Sequence, residues 1–318
     1  MKKLSTLLFL LLLTIGVLTA CGEQKEQVKE QNNGNSSKTE ETAFPVTIKD
    51  ALDNEITIKE KPEKIVSLIP SNTEIAFALG LGEEIVGVSN FDNYPEEVST
   101  KEKIGDLSVN IEKVISLQPN LVLAHASTDL GEGLQQLRDS GITVLVVNDA
   151  QTFDQVYDSI AMIGKATGAT KEADNLTKDM QAKLAEIKDK AAKITDKKKV
   201  LVEVSGAPDI FTTGKNTFMD DMISIINAEN IANDQEGWIK IDEEAMITRN
   251  PDVIITTYGY YDNKAVEKVL SRVGWENVNA IKNKQVIDVD SDRVTRSGPR
   301  IVEGVEELAK AVYPEVFK

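Results

Sequence analysis

Short runs of β-branched and aliphatic residues alternate with longer amphipathic segments over most of the chain. This alternation is typical of parallel strands joined by crossover helices. It predicts strands at Lys64–Leu68, Ile85–Ser89, Leu121–His125, Thr143–Val147, Val200–Val204, Val253–Thr257 and Gln285–Val289. It also predicts helices near Thr217–Ala228, Asp242–Asn250, Asn263–Ser271 and Pro299–Val312. The hydrophobic pattern therefore indicates the α/β class.

A predominantly polar segment from Thr152 to about Thr195 interrupts this alternation. It opens with Thr152-x-x-Gln155, a pattern typical of a helix capping box. Apolar residues then recur at steps of three and four, which predicts one apolar stripe on a helix of about 25 residues. The stripe comprises Leu176, Met180, Leu184, Ile187, Ala191 and Ile194.

The length of residues 44–318 favours two lobes. Residues 44–318 are too many for one small hydrophobic core and suit two lobes of typical domain size. We therefore expect two three-layer α/β lobes with mostly parallel sheets, at residues 44–151 and 197–318. Residues 152–196 are expected to supply the linking helices, including one long rigid interdomain helix.

The two predicted lobes share a repeat, because residues 111–122 align with residues 243–254 at a constant offset of 132 positions. Each copy predicts a helix, a Pro-Asx turn and a strand, and the turn chemistry alone explains the similarity, so convergence stays open. Glu112 and Glu244 occupy the same place in the two copies, and each follows an Asn or Asp suited to an N-cap. On the residues alone, we prefer a favourable interaction with the helix dipole for both.

The N-terminus has the features of a secretory signal peptide over residues 1–20. Two lysines precede an apolar run that ends in small residues before Cys21, and the run is short for a membrane-spanning helix. The residues Leu-Thr-Ala-Cys resemble the lipobox of bacterial lipoproteins, which implies cleavage before Cys21 and lipidation of its sulfur. An uncleaved signal anchor is the alternative. Residues 21–43 carry almost no large apolar side chains and predict a flexible tether.

Composition and motifs disfavour several classes of function. The net charge of −16 argues against nucleic-acid binding, which needs clustered Lys and Arg. A Gly-x-Ser-x-Gly elbow and a phosphate-binding loop of the Walker type are missing, and the only cysteine is the one expected to be lipidated. A divalent-metal site needs several converging histidines and carboxylates, whereas His125 is the single histidine. A lipid-anchored enzyme and a metal-binding lipoprotein are therefore remote alternatives.

Several ordered segments together resemble the substrate-binding lipoproteins of ABC importers for cobalamin, haem and ferric siderophores, and most closely the cobalamin-binding members. In addition to the lipobox and the tether, these segments are Lys64–Gly80, Val86–Ser89, Pro119–Val122, Phe211–Lys215 and Arg296–Ile301. The resemblance covers residues 44–318 and implies that two lobes hold the ligand in the cleft between them. It also implies that one exposed glutamate per lobe docks on the permease. Those glutamates match Glu112 and Glu244, which reverses the preference for the helix-dipole interpretation.

The same resemblance implies seven ligand-contacting positions, at strand ends or in loops that face the cleft: Ser71, Phe91, His125, Phe211, Trp238, Asp292 and Arg296. Aromatic rings suit the flat, largely apolar face of a corrin, and Asp292 with Arg296 suits hydrogen bonding to its amide side chains. Core packing is the alternative for Phe91 and Phe211. Trp238 is the most telling, because it lies among polar residues, where an aromatic side chain is often a contact residue.

His125 departs from the family pattern, in which an aromatic residue is usual at that position. A lone imidazole can ligate cobalt or iron, although a neutral hydrogen-bonding role is more common. Tyr258, Tyr260 and Tyr261 follow a predicted strand and are expected to line the same cleft. Since tyrosine ligates haem iron in some proteins, haem or a ferric siderophore is the alternative ligand.

The expected protein is a monomeric, non-catalytic binding protein that is lipid-anchored at the outer face of the cytoplasmic membrane, on the periplasmic side if the host has two membranes. It needs no cofactor, captures cobalamin, and delivers it to an ABC permease dimer with its ATPase subunits. Because a helix links the lobes, we expect only small lobe motion on binding.

Overall fold

The computed structural model describes residues 43–106, 108–128 and 131–318. The predicted signal peptide, Cys21 and the tether up to residue 42 lie outside the described residues. Within the described ranges, no helix is long and apolar enough to cross a membrane. The described residues belong to one compact unit, which contains two parallel sheets.

The elements before the linking helices include seven strands and three α-helices. The strands are β1 (Val46–Lys49), β2 (Glu55–Ile58), β3 (Ile65–Ser67), β4 (Ile85–Val88), β5 (Glu102–Lys103), β6 (Leu121–His125) and β7 (Thr143–Val147). The helices are α1 (Pro70–Ala78), α2 (Ile111–Ser116) and α3 (Gly133–Asp139), and a 3-10 helix spans Glu96–Thr100. The linking helices are α4 (Phe153–Thr167) and α5 (Thr170–Ala191).

The elements after the linking helices make up the second lobe. The strands are β8 (Lys199–Glu203), β9 (Phe211–Thr213), β10 (Glu229–Asn230), β11 (Trp238–Lys240), β12 (Val253–Thr256) and β13 (Val286–Asp288). The helices are α6 (Phe218–Ile225), α7 (Glu243–Arg249), α8 (Ala265–Leu270), α9 (Asn279–Lys282), α10 (Ser291–Thr295) and α11 (Ile301–Val312).

Five parallel strands form the first sheet, in the order β5-β4-β3-β6-β7. Side chains alternate between its two faces, as the period of a strand requires. One face packs against α1 and α4 through residues such as Leu123 and Ile160. The other packs against α2 and α3 through residues such as Val122 and Leu137. Helices cover both faces, so this lobe has the three layers that were predicted.

Four parallel strands form the second sheet, in the order β10-β8-β12-β13. One face packs against α6 and α11 through residues such as Ile255 and Leu308. The other packs against α7 and α8 through residues such as Ile254 and Val269. The prediction of two three-layer α/β lobes with parallel sheets is therefore confirmed.

The linking segment contains two helices. The first, α4, is capped at its C-terminus by Gly168, which adopts a left-handed φ of 78° that favours glycine. The second, α5, is the long helix of the prediction, and it has 22 residues. Its stripe is buried at Met180, Leu184, Ile187 and Ala191, where it joins one hydrophobic cluster with residues of both sheets. This continuous core ties the two lobes together.

The N-terminus of α4 is capped almost as predicted. Thr152 Oγ1 accepts a hydrogen bond from the backbone N–H of Gln155 at 3.4 Å. The reciprocal bond differs, because Gln155 Oε1 accepts from the N–H of Gln151, one residue before the expected donor, at 2.7 Å. The capping box pattern therefore located the helix start, but its second bond lies one residue earlier.

The sequence repeat corresponds to the same structural unit in both lobes. In each copy a short helix, α2 or α7, leads through a proline turn into a central strand, β6 or β12. Asn120 Oδ1 accepts from the N–H of Lys64 at 2.8 Å, and Asp252 Oδ2 accepts from the N–H of Lys199 at 3.0 Å. Both Asx residues thus hold the start of the neighbouring strand, β3 or β8.

The sequence pattern missed the antiparallel pairings and the two shortest strands. The antiparallel hairpin β1–β2, the antiparallel ribbon β9–β11 and the two-residue strands β5 and β10 were not predicted. The seven predicted strands are all present, with ends that agree within one residue.

Candidate ligand-binding site

The candidate residues follow the carboxyl ends of parallel strands in both sheets. Ser71 follows β3, Phe91 follows β4, and His125 ends β6 in the first sheet. Phe211 follows β8, and Asp292 follows β13, in the second sheet. In open α/β sheets, ligands bind in the crevice outside the carboxyl ends of the strands. The topology therefore places the candidate positions on the edges where this fold binds ligands.

The ribbon β9–β11 presents two exposed aromatic rings. Phe211 pairs with Lys240, and Trp238 pairs with Thr213, so that Phe211 and Trp238 lie diagonally on one side of the ribbon. Trp238 is 53% exposed and Phe211 is 38% exposed, so neither ring belongs to the hydrophobic core. Trp238 lies at the start of a strand and not in the polar loop that was expected.

The loop after β4 presents two further rings. Ser89 Oγ donates to Asp92 Oδ2 at 2.6 Å and accepts from the N–H of Phe91 at 3.2 Å, which fixes a tight turn. Burial raises the pKa of the Asp92 carboxyl above its usual value. The turn leaves the rings of Phe91 and Tyr94 about half exposed, so core packing does not explain Phe91 either.

Ser71 differs from the expectation of a position at a strand end or in a loop. It lies in the first turn of α1 and is buried. The same turn is fixed on the sheet, because Asn72 Nδ2 donates to the Ala124 carbonyl at 2.9 Å and Thr73 Oγ1 donates to Ser67 Oγ at 2.8 Å. A contact of Ser71 with a ligand therefore stays a prediction.

A buried carboxylate joins the two lobes next to the candidate site. Glu74 of α1 accepts from Arg296 Nη1 at 3.0 Å and, in two bonds, from Arg300 Nε at 2.9 Å and Nη2 at 2.7 Å. The guanidinium of Arg300 also lies 4.0 Å from the centre of the Tyr94 ring. This cluster anchors α1 of the first lobe to the start of α11 in the second.

Arg296 and Asp292 reach the loop after β4. Arg296 Nη1 donates to Asn93 Oδ1 at 2.7 Å, and Nη2 donates to the Phe91 carbonyl at 3.2 Å. Asn93 Nδ2 donates to Asp292 Oδ2 at 2.8 Å. Three of the predicted contact residues, Phe91, Asp292 and Arg296, are thus brought together across the two lobes.

His125 is buried and engaged locally. Its Nδ1 lies 2.7 Å from Ser127 Oγ and accepts from the N–H of Ser127 at 3.2 Å. Burial lowers the pKa of its imidazole. The residue lines a recess with Leu52, Leu134 and Val146, and its Nδ1 acts as a hydrogen-bond acceptor in this conformation. No group of three His, Cys, Asp or Glu residues able to hold a metal occurs in the described part of the chain.

The three tyrosines after β12 have different surroundings. Tyr258 is buried, and its hydroxyl donates to Glu203 Oε2 at 3.3 Å, beside the ion pair of Glu203 with Arg272. Tyr261 stacks on Tyr258 with ring centres 5.8 Å apart, and Tyr260 meets Tyr261 edge to face at 4.8 Å. Only Tyr260 and Tyr261 are exposed.

Glu112 and Glu244 are both exposed in the first turns of α2 and α7. The Asn110 side chain accepts from the N–H of Lys113 at 2.9 Å, and the Asp242 side chain accepts from the N–H of Ala245 at 3.2 Å, so both helix starts are capped as predicted. Neither glutamate carboxylate has an ion pair among the described residues, which leaves both available to a partner.

Sequence reasoning missed Glu74, Asn93 and Arg300. One signal was present, since Glu74 is the single charged residue of α1 and is followed directly by the apolar residues Ile75–Ala78. A carboxylate in such a stretch needs a buried partner, but its arginines lie more than 220 positions away.

Comparisons with known proteins agree with this architecture. The sequence model of the family described as periplasmic binding protein matches residues 65–293. Over the full length of both chains, the protein is 52% identical to an uncharacterized ABC transporter substrate-binding lipoprotein of Bacillus subtilis. It is 32% identical to a cobalamin-binding protein of Halobacterium salinarum, over 85% of this chain and 75% of that one. A solved structure of a possible iron-binding, periplasmic solute-binding protein from Staphylococcus epidermidis has a TM-score of 0.74 and 40% identity, and the match covers 80% of this chain and 100% of that one.

Proposed function

Since the chain belongs to the periplasmic binding protein family and is a substrate-binding protein of an ABC transporter, we propose that its substrate is cobalamin, captured between the two lobes. The observation that carries this proposal is the pair of Asp292 and Arg296 beside the exposed ring of Phe91. A corrin has a flat, largely apolar face and an edge of uncharged carboxamides. Aromatic surface with a few placed polar groups is the kind of site that such a ligand requires.

The charges near the site favour an uncharged ligand edge. Asp292 pairs with Arg296 at 2.9 Å, and Glu74 pairs with Arg300 at 2.7 Å. The four formal charges cancel, so the cluster offers no excess positive charge to an anionic ligand. The cobalamin-binding relative from Halobacterium supports the same ligand.

Haem or a ferric chelate is the second candidate, because Tyr260 and Tyr261 are exposed phenols that follow β12. Tyrosine binds iron as the phenolate. Partial desolvation raises the pKa of Tyr261 even though much of its ring is exposed, which opposes formation of that phenolate without a metal. The similarity to a possible iron-binding protein keeps this ligand class in the test.

Delivery to the permease is assigned to Glu112 and Glu244. They occupy equivalent places in the two lobes, on helices whose starts are capped in the same way. Exposed carboxylates on two lobes with a continuous core suit registration on a two-fold partner with complementary arginines. The protein itself acts without catalysis and as a monomer.

We place the protein at the outer face of the cytoplasmic membrane, held by lipid on Cys21. The support is the lipobox-like sequence and the relative from Bacillus subtilis that is named a lipoprotein. Two or more acyl chains are enough for stable anchoring.

The test is calorimetric titration of the full chain in detergent with cyanocobalamin, haem and a ferric hydroxamate in parallel. One-to-one binding of cyanocobalamin, at least a hundredfold tighter than the other two, is the expected result. Preferential binding of haem or the hydroxamate would move the substrate to that ligand while keeping the transport role. Binding of none of them would remove the substrate proposal.

A further inference from the structure

Both polar atoms of the Asn93 carboxamide are used in a bridge between the lobes. Nδ2 donates to Asp292 Oδ2 at 2.8 Å, and Oδ1 accepts from Arg296 Nη1 at 2.7 Å. Asp292 Oδ1 and Arg296 Nη2 pair with each other at 2.9 Å. Asp292 and Arg296, called here the clamp, therefore offer one acceptor and one donor side by side, and a primary carboxamide satisfies both.

The clamp discriminates among the polar groups that ligands carry. A primary carboxamide has a donor and an acceptor, whereas an ionised carboxylate has acceptors only. A carboxylate bound to Arg296 would turn its second oxygen toward the Asp292 carboxylate, where like charges repel. A hydroxamate whose oxygens bind iron has no NH₂ group to donate to Asp292. The clamp thus selects an uncharged primary carboxamide.

The clamp keeps its geometry without help from Asn93. Arg296 Nη1 is also held by Glu74 Oε1 at 3.0 Å, and Glu74 is fixed by two bonds from Arg300. The Glu74 side chain is only 1% exposed, so water does not compete for these bonds. Arg296 therefore stays oriented when Asn93 leaves.

Asn93 itself is suited to exchange. It lies on the loop between β4 and the following 3-10 helix, and its side chain is exposed. Because Asn93 is exposed, water and other polar groups can reach both of its bonds, so a ligand group of the same kind can replace them. A ligand carboxamide that replaces Asn93 restores both bonds, so the number of hydrogen bonds to the clamp is conserved.

We propose that Asn93 is a specificity-determining residue, whose carboxamide fills the clamp until a ligand exchanges its own primary carboxamide for it. The inference rests on the proposed function, because it requires the clamp to face the ligand. It adds that binding is a competition between an internal and an external carboxamide. When a ligand without such a group displaces Asn93, the protein loses both hydrogen bonds to the clamp and no others replace them.

The test compares Asn93→Ala and Asn93→Leu with the unchanged full chain, by titration with cyanocobalamin. Leucine keeps the branching of the asparagine side chain at Cγ, is somewhat larger, and removes both hydrogen bonds. If Asn93 fills the clamp most of the time, removal of the competitor raises the apparent affinity by the inverse of the competent fraction, about fivefold or more. Asn90→Ala, at an exposed position on the same loop, is the matched control and should leave the affinity unchanged. Dicyanocobinamide, which keeps the ring carboxamides, should show the same ratios.

Three outcomes overturn the proposal. Weaker binding by both variants would make Asn93 a direct ligand contact, and unchanged binding would make it irrelevant to ligand entry. Tighter binding by the alanine variant alone would point to steric blocking and not to carboxamide exchange.

Failure of the proposed function is distinguishable from failure of this inference. If the unchanged protein does not bind cyanocobalamin, the substrate proposal fails, and the Asn93 bridge is judged from amide-proton exchange in the ligand-free protein by NMR. Slow exchange of the Asn93 side-chain NH₂, compared with that of Asn90, supports the bridge. Exchange at the rate of a free asparagine overturns it.

Discussion

Glu74→Gln is the substitution that tests the junction of the two lobes most sharply. The Glu74 side chain is 1% exposed, and its arginine partners Arg296 and Arg300 are 14% and 12% exposed. Glutamine keeps the shape and one oxygen acceptor, but it removes the charge that compensates the two guanidinium groups. Removing one partner of a buried ion pair typically costs about 3–5 kcal/mol. We expect the lower end, about 3 kcal/mol, because glutamine still accepts one hydrogen bond.

Thermal unfolding followed by circular dichroism measures this loss. For a protein of this size, a loss of about 3 kcal/mol corresponds to a decrease in Tm of roughly 6–12 °C. Glu63→Gln, at an exposed position, is the control and should change the stability by less than about 0.5 kcal/mol. Arg300→Met combined with Glu74→Met should recover part of the loss, since Arg296 keeps its ion pair with Asp292 and no buried charge of the cluster is then left without a partner. A Tm of Glu74→Gln within 2 °C of the parent, on the scale set by about 2–4 °C per kcal/mol, would refute the reasoning.

The remaining predictions concern docking, protonation and ligand contact. Replacing both Glu112 and Glu244 by alanine is expected to spare ligand affinity and to reduce uptake into permease-containing proteoliposomes at least tenfold, whereas undiminished uptake would contradict the docking role. Burial lowers the pKa of His125, so the unfolded chain takes up a proton more readily, and the free energy of unfolding should fall as the pH drops below about 6.5. Chemical denaturation at several pH values measures this free energy. In His125→Gln it should fall less below pH 6.5 than in the parent protein, and an identical fall in both proteins would contradict the reasoning. Trp238→Leu should weaken ligand binding about tenfold in calorimetry, with partial recovery in Trp238→Phe, and equal affinity in all three would remove Trp238 from the site.

Much of the fold was predictable because its strands are covered on both faces. Such strands appear in sequence as continuous apolar runs, and Leu121–His125 and Thr143–Val147 were predicted with the same ends that the structure shows. Caps were equally visible, since the predicted caps Thr152, Asn110 and Asp242 each accept a hydrogen bond at a helix start. The ribbon β9–β11 escaped prediction because its strands, Phe-Thr-Thr and Trp-Ile-Lys, lack the continuous apolar run that marks the strands of the two parallel sheets.

The candidate site was predictable only in part, for a physical reason. The resemblance supplied positions such as Asp292 and Arg296, but the partners of these residues depend on tertiary contacts. Arg296 meets Asn93 across 203 positions of sequence, and no local pattern encodes that approach. His125 shows the opposite case, because its place at a strand end was predicted, while its burial followed from packing against residues distant in sequence.

The most direct test of the central claim is to locate cobalt by anomalous X-ray scattering in crystals grown with cyanocobalamin. The account predicts one cobalt site between the carboxyl edges of the two sheets, with the corrin against Phe211, Trp238 or Phe91 and a ring carboxamide on Asp292 and Arg296. Cobalt outside the cleft, or crystals whose protein binds no cobalt at saturating cyanocobalamin, would contradict the account.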